Sequence, residues 1–274
     1  MMNSTAQGQK LVIDEPDNAK ADEEEVTGSS LLVRIGKRLR PGIDKILARQ
    51  SKVGDPPVFN KADFDFVHFL EENWQTIADE AQSIVKERDG VHSLVDVSPD
   101  HQGIADDKRW KSFFLVGYGY RIDHNCDRCP KTAELLEHIP GLFSAFFSIL
   151  EAGAEIPAHR GVTKAILTSH LGLSIPKDRD SIGIRVDDKV LRWEEGKVLI
   201  FDDTFDHEAW NRTDEDRIVL LMHVKRPMRS FGRWLGGLFL AGARASTFVQ
   251  DARKNLVEKD IEQGFKASSQ RWKS

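Results

Sequence analysis

The chain has 274 residues, 40% of them hydrophobic and 30% charged, with a formal net charge of −5. This length and composition fit one large globular domain, or one domain with extensions. The negative net charge excludes the basic field typical of nucleic-acid binding, so no nucleic-acid partner is expected. Two cysteines and the absence of a signal-peptide pattern exclude a disulfide-stapled secreted domain. We therefore expect a cytoplasmic protein, with peripheral contact at the inner face of the membrane as the alternative.

The N-terminal part of the chain divides into an acidic and a basic segment. Residues 1–29 are polar and acidic and are predicted to be disordered, because they carry too few apolar residues for a core. Residues 30–54 form a basic amphipathic segment with helical spacing over 31–50. Pro41 and Gly42 are expected to break or kink this helix. It is interpreted either as a helix docked on the core or as a helix that binds a membrane surface.

Residues 55–227 are predicted to form the main domain. It begins with a helix over 61–88 that has one apolar stripe and that Gly90 is expected to terminate. A shorter helix is predicted over 130–138, because Pro130 suits a first helical position. The rest consists of short β-prone runs bounded by turn residues, which predict an all-β sandwich or barrel. The predicted strands are residues 110–121, 142–150, 164–175, 181–186, 189–193, 196–202 and 217–225.

Residues 228–274 are predicted to form a C-terminal helical extension, with helix over 230–267. The segment 225–240 mixes arginine and lysine with aromatic and aliphatic residues. It is either a helix whose apolar face packs on the barrel, or an interfacial helix that contacts a bilayer. Because the basic segments 31–50 and 225–240 flank the main domain, both are candidates for peripheral membrane contact.

Cys126 and Cys129 form a single C-x-x-C pair. A structural zinc site needs four ligands, and there is no second pair in the sequence. A redox motif requires a thioredoxin-like βαβ context, which the sequence does not predict. The pair is interpreted as part of a structural turn, with redox sensitivity as the alternative.

Two histidines stand where β-prone runs end. His159 follows Ile156-Pro157-Ala158, and His207 follows the run 201–206. Imidazoles suit a first-row transition metal, and strand ends at a barrel mouth are common places for ligand sites. A lone histidine on a strand is more often structural, but the pair indicates a metal site. His170 and Arg217 follow further along the chain, and an arginine fork suits a carboxylate.

From Phe143 to Pro227 the chain resembles the aspartyl/asparaginyl β-hydroxylase family of Fe(II)- and 2-oxoglutarate-dependent oxygenases. The resemblance implies a mainly β fold, with a double-stranded β-helix (jelly roll, cupin-like) core and flanking α-helices. It also implies hydroxylation of an unactivated carbon, with dioxygen as co-substrate. The matching motifs are Ser148, the run Pro157-Ala158-His159-Arg160-Gly161, the run His170-Leu171-Gly172-Leu173, the run from Trp193 to Glu208, and Arg217.

The resemblance makes His159 and His207 the iron ligands. Most members of the wider oxygenase superfamily carry a carboxylate two residues after the first histidine, and here that position is Gly161. This is similar to the β-hydroxylase pattern, in which water stands in for the carboxylate. Asp203 is a candidate partner for His207 or for a metal-bound water. Its alternative interpretation is an aspartate that stabilises a turn.

The resemblance also places the cosubstrate. Ser148 and Arg217 are expected to bind the distal carboxylate of 2-oxoglutarate, because a bidentate guanidinium–carboxylate contact supplies both geometry and energy. His170 is expected to donate to the proximal carboxylate.

One position departs from the family's pattern. The family commonly carries an arginine two residues before the second motif histidine, and this chain has Thr168 there. The pocket therefore lacks one cation. Three interpretations stay open: the remaining donors suffice, Arg160 or Lys164 replaces the missing cation, or the substrate is less anionic.

The sequence leaves the substrate open. The flanking basic segments, and a likeness to the branches of the family that act on lipid A and ornithine lipids, favour a lipid acyl chain. The alternatives are an Asp or Asn side chain in a protein, and a small-molecule substrate that is a free amino acid or small peptide. A catalytically degenerate binding module is the non-enzymatic alternative, motivated by Thr168.

Overall fold

The computed structural model describes residues 31–87, 91–94, 108–246 and 250. For 31–39 it describes the backbone alone. By its contacts the chain divides into one unit up to Gly42 and a second unit from Ile43 onward. The predicted disordered segment 1–29 lies outside the described residues. The predicted domain boundaries after residues 54 and 227 fall within the second unit and stay predictions.

The helices lie in sequence before, between and after the strands. The first continues through Pro41, so the predicted break does not occur, and the alternative of a kink stays a prediction. The helices are α1 (Leu31–Gln50), α2 (Phe66–Glu72), α3 (Trp74–Glu87), α4 (Asp123–Arg128), α5 (Pro130–Glu137) and α6 (Ser230–Ala245).

The helix predicted over 61–88 is divided into a short 3₁₀ turn at Lys61–Asp63 and the helices α2 and α3. Asn73 ends α2 with φ −105° and ψ 11°, and its side-chain amide donates to the carbonyl of Phe69 at 2.8 Å. The predicted apolar stripe is confirmed in spite of this break, since its members are buried in one cluster with the sheet. Gly90, the predicted terminator, lies outside the described residues.

The strands agree closely with the predicted runs, and two of them match at both ends. The strands are β1 (His92–Ser93), β2 (Trp110–Gly117), β3 (Tyr120–Arg121), β4 (Leu142–Leu150), β5 (Glu155–His159), β6 (Ile166–Ser174), β7 (Ile182–Val186), β8 (Lys189–Leu191), β9 (Val198–Phe201), β10 (His207–Asn211) and β11 (Arg217–Lys225).

Some elements of the structure differ from those predicted from the sequence. The run 110–121 is a hairpin rather than one strand, because Tyr118 and Gly119 both have positive φ and turn the chain between β2 and β3. Helix α4 and strand β10 were not predicted. Both elements are short, and only two of the five residues of β10 are apolar, Ala209 and Trp210. The first part of the helix predicted over 230–267 is confirmed as α6, which ends at Ala245. Apart from residues 246 and 250, the remainder of that prediction lies outside the described residues.

The strands form two sheets in which all the described pairs are antiparallel. The larger sheet has the order β1-β2-β4-β11-β6-β9, with β3 paired to β2, and the smaller has the order β5-β10-β7-β8. Neighbours in space are mostly distant in sequence, as in jelly rolls. The fold is therefore mainly β, a double-stranded β-helix core with flanking helices, and it confirms the predicted class.

The two faces of the larger sheet enter different parts of the core, because side chains alternate along a strand. On β4, Phe147 and Ile149 pack with the helices α2 and α3, whereas Phe146 and Leu150 pack toward the smaller sheet. Both faces are covered, which explains why these strands read as continuous apolar runs. Polar side chains on the second face therefore stand out, and they form the site described next.

No helix among the described residues has the length and apolar character required to span a bilayer.

Candidate metal and cosubstrate site

A cavity of about 290 Å³ lies between the two sheets, and α6 closes one side of it. The larger sheet contributes alternate side chains of β4, β6 and β11 that share one face, and the smaller sheet contributes β5, β7 and β10. Arg160 and Val162, which are both exposed, also line it, so the cavity reaches the surface at this loop. The polar lining residues are Ser144, Ser148, His159, Arg160, Thr163, Thr168, His170, Asp203, His207, Arg217, His223 and Ser246.

The two predicted metal ligands are direct neighbours across a strand pair. The register of β5 with β10 places His159 opposite His207, and the two ring centroids lie 4.0 Å apart. Each ring uses Nδ1 to bond a backbone carbonyl, that of Pro157 at 2.8 Å and that of Phe205 at 3.0 Å. Since a carbonyl can only accept, both Nδ1 atoms carry the proton, and both Nε2 atoms keep a lone pair for a ligand.

This donor set fits a first-row transition metal such as Fe(II). Burial, together with the neighbouring His207, lowers the pKa of His159 to about 4, and burial also lowers the pKa of His207. Both rings are therefore neutral near pH 7, which is the form that binds metals. Among the described residues no three His, Cys, Asp or Glu side chains converge. A metal held here would take two protein ligands and keep its other positions open.

Asp203 occupies the space that a side chain at Gly161 would need. The Gly161 N–H donates to the backbone carbonyl of Asp203 at 2.6 Å, and a Cβ at this glycine would overlap the Asp203 carboxylate. Thr168 donates its hydroxyl to Asp203 Oδ2 at 3.0 Å, whereas Oδ1 has no hydrogen-bond partner among the described residues. Burial raises the pKa of the Asp203 carboxyl. Gly161 and Thr168 thus both accommodate Asp203 at the cavity.

Gly161→Ala is expected to lower the free energy of unfolding by about 1–3 kcal/mol, because the new methyl group forces a hydrogen-bonded, buried carboxylate to move. The cost should largely disappear in an Asp203→Ala background, where the overlapping atoms are gone. Urea unfolding of the four proteins in this double-mutant cycle measures the coupling. Gly237→Ala is the control, since a Cβ there meets nothing within 4 Å. If the effects of the two substitutions on the free energy of unfolding were additive, this would contradict the close packing of Gly161 on Asp203.

Arg217 is a buried guanidinium facing the cavity from the first residue of β11. It lies over the Trp193 ring, 4.6 Å from the centroid, and its Nε and Nη1 have no hydrogen-bond partner among the described residues. Burial lowers its pKa to about 9, so it remains a cation at neutral pH. A buried cation without partners is costly, and a carboxylate ligand would remove that cost.

Trp193 orients His170, a role that was not predicted from the sequence. The indole N–H of Trp193 donates to His170 Nδ1 at 3.1 Å. The Nδ1 atom must then accept, so the neutral ring carries its proton on Nε2. Burial, and then the nearby Arg217, lower the pKa of His170 well below its ordinary value. Trp193 therefore presents His170 as a neutral donor and also packs on Arg217.

Ser148 is held by a second tryptophan. Trp110 Nε1–H donates to Ser148 Oγ at 3.0 Å, which leaves the Ser148 hydroxyl proton available for an acceptor. Ser148 pairs with Val219 on β11, two residues from Arg217. The predicted cosubstrate residues Ser148, His170 and Arg217 all line the same cavity as the histidine pair.

Of the two cations proposed to replace the missing arginine, only Arg160 lines the cavity. Its side chain is 68% exposed, with Nε 3.9 Å from Asp206 Oδ1. Lys164 turns away instead, because its Nζ bonds Asp55 at 2.7 Å and Asp202 at 2.8 Å. This buried pairing argues against a direct role of Lys164 in substrate binding.

His223 is a cavity residue that the sequence analysis missed. It lies on β11 in the same alternating set as Arg217, and it pairs with Thr168 across β6. Burial lowers its pKa, so it too is neutral at pH 7. The signal was present in the sequence, because residues 217, 219, 221 and 223 must share one face of a strand.

Cys126, within α4, and Cys129, between α4 and α5, are both free and buried. Burial raises the pKa of both thiols, that of Cys129 to about 12. Thiols with raised pKa values are poor nucleophiles, which agrees with the structural interpretation of the pair.

Fold and site together define a jelly-roll protein with a histidine pair and a buried cation in one cavity. A family model described as aspartyl/asparaginyl beta-hydroxylase matches residues 71–227, more than half of the chain. The chain belongs to this family, as the resemblance of its motifs predicted, and is thereby placed among hydroxylase enzymes.

The relatives differ in how much of each protein is matched. The ornithine lipid ester-linked acyl 2-hydroxylase of Rhizobium tropici is 37% identical over 89% of this chain and 86% of its own length. The human aspartyl/asparaginyl beta-hydroxylase is 34% identical over 60% of this chain, but the match spans only 21% of that protein. Among solved structures, a prolyl-4-hydroxylase of Pseudomonas putida is 16% identical with a TM-score of 0.41, covering 69% of this chain and 99% of that one.

Proposed function

We propose that the chain is an Fe(II)- and 2-oxoglutarate-dependent dioxygenase that hydroxylates an acyl chain of a membrane lipid. The observation that carries the cofactor assignment is the combination of two neutral imidazoles, His159 and His207, with the buried cation Arg217 in one cavity. The imidazoles suit the metal, and the guanidinium suits a carboxylate of the keto acid.

The two histidines of the pair, His170, Ser148 and Arg217 each have a task in this proposal. His159 and His207 hold the iron through Nε2, and their Nδ1 bonds to backbone carbonyls fix both rings. Arg217 and Ser148 bind the distal carboxylate, and His170 donates from Nε2 to the proximal one. When bound, iron and 2-oxoglutarate supply an oxidation that uses dioxygen to convert C–H to C–OH, releasing succinate and carbon dioxide.

The protein's further task is to exclude water and to orient the carbon that reacts. The lining around the polar residues is apolar, with side chains from both sheets and from α6. Such a lining suits a hydrocarbon chain better than a charged amino acid side chain. The apolar lining residues include Phe146, Ile156, Ile166, Ile184, Phe201, Leu221 and Leu240.

The lipid substrate is also supported by the relative that matches most of both chains. That relative is named for hydroxylation at position 2 of an ester-linked acyl chain of ornithine lipid. At the exposed end of the cavity, Arg160 is placed where it can meet an anionic part of a lipid headgroup. We therefore expect an ester-linked acyl chain of a charged lipid to be the substrate.

The test is turnover by the full chain with Fe(II), 2-oxoglutarate and dioxygen on three kinds of substrate. These are detergent-dispersed ornithine lipid, peptides containing Asp and Asn, and free amino acids. We expect succinate formation to rise with the lipid, and mass spectrometry to find one added oxygen on its acyl chain. An inactive control is the His159→Ala, His207→Ala double variant. Oxygen gained by a peptide or amino acid instead would overturn the lipid assignment, and no succinate with any substrate would favour a binding module.

A further inference from the structure

Helix α6 is built into the wall of the cavity by one of its faces. Its buried positions include two glycines, Gly232 and Gly236, and a Cβ on Gly236 would lie only 3.4 Å from Ala165 and 3.7 Å from Leu47. Further along the same helix, Phe239 and Leu240 line the cavity itself. Any surface that binds the outer side of α6 is therefore one helix diameter, roughly 10 Å, from the cavity.

An arginine near the end of α6 fixes this position. The Arg244 guanidinium lies over the rings of Tyr120 and Phe143, 5.8 and 5.4 Å from their centroids. It fills the space beside Gly119, in the turn between β2 and β3. The C-terminal end of α6 is thus attached to the larger sheet, while Gly232 and Gly236 pack closely on Gln50 and Leu47 of α1 and on Ala165.

The outer face of α6 carries the largest exposed apolar side chains among the described residues. Phe231, Trp234 and Leu238 are 53%, 62% and 59% exposed, and the first two rings are stacked with centroids 5.9 Å apart. Their spacing of three and four residues places them in one stripe along the helix. A contiguous exposed apolar stripe is typical of an interaction surface rather than of ordinary solvent-exposed helix.

Cationic side chains border this stripe, and α6 itself contains no acidic residue. Residues 229–246 contain no Asp or Glu, and Arg229 and Arg233 are both exposed. On the part of α1 that packs against α6 through Leu47, Lys45 and Arg49 are exposed as well. An apolar stripe with a cationic border complements an anionic bilayer, whose headgroups meet the cations while the stripe enters the interface.

We propose that α6 is a membrane-docking helix, and that its stripe of Phe231, Trp234 and Leu238 inserts into the headgroup region of an anionic bilayer. The inner face of the same helix lines the cavity, so docking would hold the cavity beside the lipid from which an acyl chain is taken. The role of docking in bringing the cavity to its lipid substrate rests on the proposed function. The binding of α6 to a bilayer does not depend on iron or on turnover.

The experiment is co-sedimentation of the full chain with phosphatidylglycerol-containing vesicles and with neutral phosphatidylcholine vesicles, across a salt series. We expect binding to the anionic vesicles that weakens with salt, because the Debye length falls from ~10 Å at 0.1 M to ~3 Å at 1 M. The variant Trp234→Glu, Leu238→Glu should lose this binding. Arg229→Gln, Arg233→Gln should weaken the partition coefficient on the order of thirtyfold, since each cation near the surface contributes about fivefold.

Val190→Glu is the matched control, because Val190 is 54% exposed but belongs to β8 in the smaller sheet. It should bind vesicles as the unchanged chain does. The proposal is overturned if the unchanged chain stays in the supernatant, or if the α6 variant binds as well as the control. It is also overturned if light scattering finds a dimer that the α6 variant abolishes, since the stripe would then bind a second copy of this chain.

The two proposals can fail separately. If vesicle binding is absent while detergent-dispersed lipid is still hydroxylated, the docking surface is wrong and the proposed function stands. If the chain binds vesicles through α6 but no lipid gains oxygen, the surface stands and the lipid-hydroxylase function is wrong.

Discussion

The double variant His159→Ala, His207→Ala is expected to lose the metal while keeping its fold. The two rings are the imidazole pair that we propose holds the metal, and the double variant removes both of their Nε2 atoms. Because even indirect partners of a metal ligand change affinity ~10–100-fold, loss of both direct ligands should weaken binding by more than ~100-fold. Anaerobic calorimetry with Fe(II), or with Co(II) as a spectroscopic probe, measures the affinity without requiring turnover.

His68→Ala is the control for this experiment, since the His68 side chain is 82% exposed on α2. It should bind metal as the unchanged chain does. The fold of each variant is checked by circular dichroism and thermal unfolding. Metal affinity within a few-fold of normal in the folded double variant would mean that the ligands lie elsewhere.

Arg217→Met is expected to abolish 2-oxoglutarate binding and, at the same time, to stabilise the ligand-free protein. Without ligand, the Arg217 guanidinium is buried with two nitrogens unpartnered among the described residues, and replacing such a group by a hydrophobic one is often neutral or stabilising by about 1–4 kcal/mol. With ligand, truncating one partner of a buried charged pair costs about 2–5 kcal/mol. If Arg217→Met raises the free energy of unfolding and abolishes 2-oxoglutarate binding, Arg217 serves to bind the cosubstrate and not to stabilise the fold.

Thermal unfolding with and without 2-oxoglutarate measures both effects. At a hundred times its dissociation constant a ligand adds about 2.7 kcal/mol, or roughly 5–10 °C in a domain of this size. We expect this shift in the unchanged chain and none in Arg217→Met. Arg212→Met is the matched control, because the Arg212 side chain is 62% exposed and pairs with Glu155 at the surface. An unaltered shift in Arg217→Met would remove Arg217 from the cosubstrate site.

Much of the fold could be predicted because strand patterns are local. The run 142–150 is apolar except for two serines, and β4 has those bounds because one of its faces packs on helices and the other on the second sheet. The run 217–225 is matched by β11 for the same reason. The short helix α4 and strand β10 were missed, since their few apolar residues give no period that a local pattern can establish.

The candidate site was predictable to the extent that its residues share motifs and alternate along strands. His159, His207 and Arg217 were each assigned from the sequence, and the structure brings them to one cavity. Trp193 lay within a matched motif, but its hydrogen bond to His170 joins residues 23 positions apart, which no local pattern contains. His223 could have been found by counting alternate residues along β11 from Arg217.

The sequence by itself predicted β-strands and the residue types available for a metal and a carboxylate, because periodicity and side-chain chemistry are local properties. The double-stranded β-helix class was predicted from the resemblance of its motifs to a known family. Only the tertiary structure decided which partner each polar group takes. Thr168 bonds Asp203, which fills the space beside Gly161, and Lys164 is drawn into ion pairs with Asp55 and Asp202. These pairings result from packing between segments that are distant in sequence. Distance and burial there determine which of several chemically equivalent groups becomes the partner.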